Sequence, residues 1–268
     1  MLLFESLVGS IRVKIRAETV LWHTASVRSS KSILIAIEGI DGAGKTTQAE
    51  MLTESLRAAG LGVVASREPT YGTHGNRIRE SAATGRLSLD EELQAFIDDR
   101  REHVETVVGP ALEEGRVVVL DRYYYSTIAY QGARGADIGR IREVMEEFAP
   151  VPDAVFLIDV LPTTGLHRIA ESRGDTPNAF ENSENLTSVR EVFLRLDDPN
   201  IIRIDGGPSV EQVHEEILRA FVERPLKARL CAKSYGCEDP FHCGFHLSHQ
   251  CEWSSIKSSI GRAQVASG

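Results

Sequence analysis

Eight consecutive residues, Gly39-Ile40-Asp41-Gly42-Ala43-Gly44-Lys45-Thr46, carry the most specific chemistry in the chain. They fit the spacing G-x-x-x-x-G-K-[ST], in which glycines let backbone N–H groups curl around phosphate oxygens with no Cβ in the way. The lysine reaches the β- and γ-phosphates of a nucleoside triphosphate, and the threonine hydroxyl is a ligand for Mg²⁺. A further acid, Asp121, follows the run Val117-Val118-Val119-Leu120, where a metal-supporting carboxylate belongs. The next residue is Arg122 rather than a water-activating glutamate, and no N-K-x-D guanine-reading motif occurs. Transfer of a phosphoryl group to a bound acceptor fits these facts better than hydrolysis or a guanine-dependent switch.

Such groups need a scaffold, and the chain spells one out. Short β-branched or apolar runs at 33–38, 62–66, 116–120, 154–158 and 201–204 read as strands buried on both faces. Helical stretches are predicted at 45–59, 75–83, 90–109, 138–148, 162–171, 183–195 and 210–222. This alternation predicts an α/β, P-loop NTPase-like three-layer fold: a mostly parallel five-stranded sheet flanked by helices, with ligands beyond the carboxyl ends of the strands. The ordered rhythm spans 32–223. Residues 1–31 form a basic extension that reads as a transit peptide, a disordered segment or a start set too far upstream, with a short edge strand at 11–15. Residues 224–268 form a Cys/His-rich tail, expected to be disordered.

Composition narrows the function classes. The net charge of -9 argues against non-specific binding to nucleic acid, whose backbone demands a basic surface. No apolar run approaches the roughly 20 residues that span a bilayer, so no membrane partner is expected. All four cysteines (Cys231, Cys237, Cys243 and Cys251) lie in the tail. The body therefore has no disulfide framework, as expected of a cytoplasmic protein. The tail also holds His242, His246 and His249, enough ligands for zinc, but the spacings match no common zinc motif.

The segment running from Ile37 to Gln48 resembles the opening of thymidylate kinases, and three further motifs fall in that family's order. They are Arg67-Glu68-Pro69, then Phe96-Ile97-Asp98-Asp99-Arg100, then Asp121-Arg122-Tyr123 running on to Ala129-Tyr130-Gln131-Gly132. The resemblance implies transfer of the γ-phosphate of ATP to dTMP, with Mg²⁺ as cofactor and a homodimer as the assembly. It makes Gly39, Asp41, Gly42, Ala43, Gly44, Lys45, Thr46, Thr47 and Arg168 the ATP-binding residues, with Thr46 on the metal. Phe96 would stack on thymine and Arg100 bond its carbonyl edge, while Thr127 and Gln131 face N3. Tyr130 would crowd C2′ of the sugar. Arg122 and Arg79 would grip the acceptor phosphate, near Asp41, with Glu68 and Pro69 bordering the site across a bond that is cis in relatives.

Residues 168–174, leading through Asp175 to Ala179-Phe180-Glu181, resemble the family's mobile lid. One subclass carries a catalytic arginine in the glycine loop. Gly42 stands at that place, so the resemblance assigns the charge to the lid, to Arg173 first and Arg168 second. The arginine that normally precedes the lid's Phe-Glu pair is replaced by Ala179. Lys45, Asp41, Asp121, Arg122 and Arg173 are the expected catalytic set. Two alternatives stay open on sequence: a kinase for another monophosphate such as dUMP, and a nucleotide-binding regulator that has lost transfer.

Overall fold

The computed structural model describes residues 4–8, 11–15, 32–173 and 183–226. The expected order of strands and helices is present. Five strands, β3 (Ile33–Glu38), β4 (Val63–Arg67), β5 (Val117–Asp121), β6 (Ala154–Asp159) and β7 (Ile201–Asp205), form one all-parallel sheet in the order β4-β5-β3-β6-β7. Residues of β3 and β5 are buried throughout, which is why these runs are apolar without alternation.

Register matters for the site. Asp121, the last residue of β5, pairs with Ile37 on one side and Arg67 on the other. Three neighbouring strands therefore end together, and Glu38, Arg67 and Asp121 emerge side by side at the carboxyl edge. Helices α1 (Lys45–Ala58), α2 (Thr73–Thr84), α3 (Leu89–His103), α6 (Ile138–Glu146), α7 (Pro162–Arg173), α8 (Ser183–Arg195) and α9 (Val210–Phe221) match predicted segments to within a few residues. A reciprocal capping box between Ser88 and Glu91 starts α3, and another between Ser209 and Gln212 starts α9.

Three features depart from the sequence reading. The helix predicted at 90–109 is α3 followed by a π-helical turn, Val104–Val108, and a short helix α4 (Gly109–Glu113). The Gly109 N–H bonds the carbonyl five residues back, on Val104, and Pro110 has no N–H to continue an α-helical ladder. A helix absent from the reading, α5 (Tyr124–Gly132), follows β5 directly. The strand at 11–15 is present as β2 (Ile11–Ile15), but it pairs antiparallel with β1 (Phe4–Val8) in a separate two-stranded sheet rather than edging the main one. The rest of the N-terminal extension, the lid beyond Arg173 and the tail beyond Leu226 fall outside the described residues, and with them the tail's Cys/His cluster.

Candidate active site

The glycine loop bridges β3 and α1 and lines a cleft of about 710 Å³. Its Lys45 is buried and donates to the Ile40 carbonyl at 2.6 Å, so the ammonium is folded back across the loop. Burial first, then the nearby charge of Arg122, lowers its pKa to about 8. The Thr46 hydroxyl, at the start of α1, donates to Asp121 Oδ2 at 2.6 Å. A hydroxyl and a carboxylate converging on one polar cleft are hard oxygen donors, and they fit Mg²⁺, which takes one or two protein oxygens and completes its shell with phosphate and water.

Gly42 shows why the loop carries no arginine. Its φ is +77°, and a Cβ there would meet the carbonyl oxygen of Gly165, on α7, at 2.1 Å. Gly165 is equally confined, since its own Cβ would lie 2.5 Å from the Asp41 carbonyl oxygen. Backbone packs on backbone, and no side chain fits between. Arg168, one turn along α7, donates to the Gly206 carbonyl at 2.9 Å and lines the same cleft. Arg173 closes α7, but its side chain lies outside the described residues.

A second cavity of about 280 Å³ opens from the first. Phe96, Arg100, Thr127, Tyr130 and Gln131, expected on the acceptor side, are brought together in its lining. Asp41, Glu68, Pro69, Arg79 and Arg122 line both cavities and form their common wall. Arg122 occupies the turn between β5 and α5 with φ +71°, a left-handed conformation that few non-glycine residues adopt. Its guanidinium bonds the Asp41 carboxylate and donates to Ser126 Oγ at 3.0 Å. The Tyr130 hydroxyl donates to the other Asp41 oxygen at 2.9 Å. Arg79 bonds the carbonyls of Pro69 and Thr70, and its guanidinium lies 4.3 Å from the centre of the Tyr71 ring. The Glu68-Pro69 peptide is cis.

The smaller cavity is braced from behind. Arg100 donates to Glu68 Oε2 through Nε (2.8 Å) and Nη2 (2.6 Å), and Nη2 also reaches Thr127 Oγ1 at 3.1 Å. Burial pushes the Glu68 pKa up, but the charge of Arg100 and the bond to His103 outweigh it and leave the group below its ordinary value. Gln131 donates Nε2 to the buried Glu92 at 2.8 Å, and Arg86 and Arg134 hold Glu92 from the other side. Asp99 accepts both the N–H and the hydroxyl of Thr70, tying α3 to the turn that holds Arg79.

Sequence reasoning missed Glu38, Arg67, Glu92 and His103 as site-supporting residues. Glu38 is fully buried at the end of β3 and accepts the N–H groups of Tyr123 (2.8 Å) and Ser126 (3.1 Å) and the Ser126 hydroxyl (2.6 Å). It thus caps α5 from another strand, where Tyr123 offers no side-chain cap of its own. Burial raises its pKa to about 7, against the pull of the Ser126 bond and the Arg122 charge. An acid ending an otherwise apolar run was the available signal for Glu38, and membership of the Arg67-Glu68-Pro69 motif was the signal for Arg67.

Among the described residues no helix is long and apolar enough to cross a membrane. The family profile described as thymidylate kinase matches residues 37–217. A thymidylate kinase of Xanthomonas oryzae pv. oryzae (strain PXO99A) is 50% identical over 196 residues, covering 72% of this chain and 86% of that protein. One from Xylella fastidiosa (strain 9a5c) is 49% identical over 200 residues, covering 75% and 95%. A match that runs from the glycine loop into α9, at half identity, makes this chain a member of the thymidylate kinase family.

Proposed function

We propose that the chain transfers the γ-phosphoryl group of ATP to dTMP, giving ADP and dTDP. The observation that carries this reading is the common wall of two contiguous cavities, with Asp41, Arg79 and Arg122 between the glycine loop and the pocket of Phe96 and Arg100. ATP lies along the larger cleft, its phosphates on the loop amides and Lys45. dTMP fills the smaller one, its base against Phe96 and its edge toward Arg100, Thr127 and Gln131. Arg122 and Arg79 orient the acceptor phosphate, whose oxygen attacks the γ-phosphorus in line while ADP leaves. Thr46 and Asp121 would hold Mg²⁺, which when bound supplies positive charge to the terminal phosphates. Arg168 and Arg173 would bring further charge from the lid side. Tyr130, pinned to Asp41, stands where a ribose hydroxyl would crowd it.

ADP release measured across dTMP, dUMP, dCMP, dAMP and dGMP, with ATP and Mg²⁺, tests the assignment. Turnover with dTMP well above all others is expected. Equal or greater turnover with another monophosphate would move the acceptor assignment, and nucleotide binding without any turnover would make the chain a regulator. We further propose the homodimer that the family resemblance implies; sedimentation at twice the chain mass is the expected result.

A further inference from the structure

Arg67 belongs to none of the roles above, yet its guanidinium contacts both residues assigned to the metal, through one oxygen of each. It extends from the carboxyl end of the edge strand β4, beside Asp121 in register. Nη2 donates to Asp121 Oδ2 at 3.0 Å and to Thr46 Oγ1 at 3.3 Å, while Nη1 donates to the Tyr71 hydroxyl at 3.2 Å. A cation bonded to both oxygens of a metal-binding pair is a rival for that pair, because neither oxygen can present the same lone pairs to a guanidinium and a divalent ion. Like charges only a few ångströms apart add to the exclusion.

We infer that Arg67 is a placeholder for the metal: it occupies the Thr46–Asp121 pair, weakens the binding of a bare divalent cation there, and yields when the cation arrives with nucleotide phosphates. This rests on the reading that Thr46 and Asp121 hold the metal. Room for the displacement is present. A hollow of about 490 Å³ lies beside the cleft, lined by Thr46, Arg67, Tyr71 and Asp121 together with Glu50, Glu54 and Arg57 of α1, two acids against one cation. Glu50 and Glu54 are one helical turn apart, share a face, and are exposed. They offer a displaced guanidinium new carboxylate partners while its Tyr71 contact serves as a pivot. The side chain of Arg67 is 37% exposed, so its movement opens no core. The consequence is an order of events: metal enters as a metal–nucleotide complex, and the enzyme resists loading with free metal.

A Mn²⁺ titration of the nucleotide-free enzyme, followed by the electron paramagnetic resonance of free Mn²⁺, tests this without measuring activity. If the guanidinium fills the pair nine-tenths of the time, its removal tightens apparent Mn²⁺ binding about tenfold. Arg67→Gln is therefore expected to bind Mn²⁺ about tenfold more tightly than wild type, and Arg67→Lys, which keeps a cation, to return toward wild type. Thr46→Val in the Arg67→Gln background is expected to abolish the gain. Unchanged or weaker Mn²⁺ binding by Arg67→Gln would overturn the placeholder role, and would leave the metal pair standing if Asp121→Asn still weakens binding of Mn²⁺ with ADP. Wild-type affinity for Mn²⁺ with ADP in Asp121→Asn would instead overturn the metal pair and the placeholder with it.

Discussion

Lys45 is an ammonium already partly stripped of water, with its nearest bond spent on the Ile40 carbonyl. Such a group gains most from an arriving phosphate, which restores the lost solvation and cancels the repulsion from Arg122. Lys45→Ala is expected to reduce kcat/KM by more than ~100-fold in a coupled ADP assay. Arg122→Ala is expected to do the same through the acceptor, with the KM for dTMP rising more than the KM for ATP. Glu38 gives a different readout. Its folded pKa of about 7 lies above its ordinary value of 4.5, so the native state holds a proton that the unfolded chain releases. Its contribution to stability is full below pH 4.5 and lost as pH rises through about 7. Urea unfolding of wild type against Glu38→Gln should show the difference falling over that window by up to a few kcal/mol. A difference that is flat with pH would contradict the assignment. Lys45, Thr46 and Asp121 were legible because loop spacing and a buried strand fix them locally, whereas Arg122 rested on the family resemblance. The partners of Glu38 were not, since they lie 85 to 88 positions further along the chain.

At the scale of elements, the sheet strands were readable and α5 was not, for one physical reason. A strand buried on both faces announces itself as an unbroken apolar run. Helix α5 is buried from Tyr124 to Gln131, so no polar face marks a 3.6-residue period, and its three tyrosines and Thr127 favour a strand on propensity. Its position is set by Glu38 and by the bulk packed around it rather than by its own sequence. The junction of the glycine loop with α7 is equally silent in sequence, because it is made of two glycines 123 residues apart, Gly42 and Gly165. Gly165→Ala should force the two backbones apart at a cost of about 1–3 kcal/mol, on the scale of overpacking a tight contact. A lower Tm together with a raised KM for ATP is the expected result. An unchanged KM would mean that α7 does not shape the triphosphate cleft.

The whole molecule sets a net charge of -9 against a cleft lined by Lys45, Arg67, Arg79, Arg122 and Arg168. An anionic nucleotide therefore approaches a repelling surface with an attracting mouth, and the attraction is screened once the Debye length falls below about 10 Å. The KM values for both nucleotides should rise with added KCl between low and moderate ionic strength, whereas kcat, governed by groups within the closed site, should change less. The central claim is that two anion-binding pockets share one wall, so that a phosphoryl group passes between them directly. Incubating the purified chain with ATP labelled at its γ-phosphate, with and without dTMP, tests it most directly. The label is expected in dTDP, with none left on the protein and little released as inorganic phosphate. Label released as inorganic phosphate at the same rate with and without dTMP would contradict it.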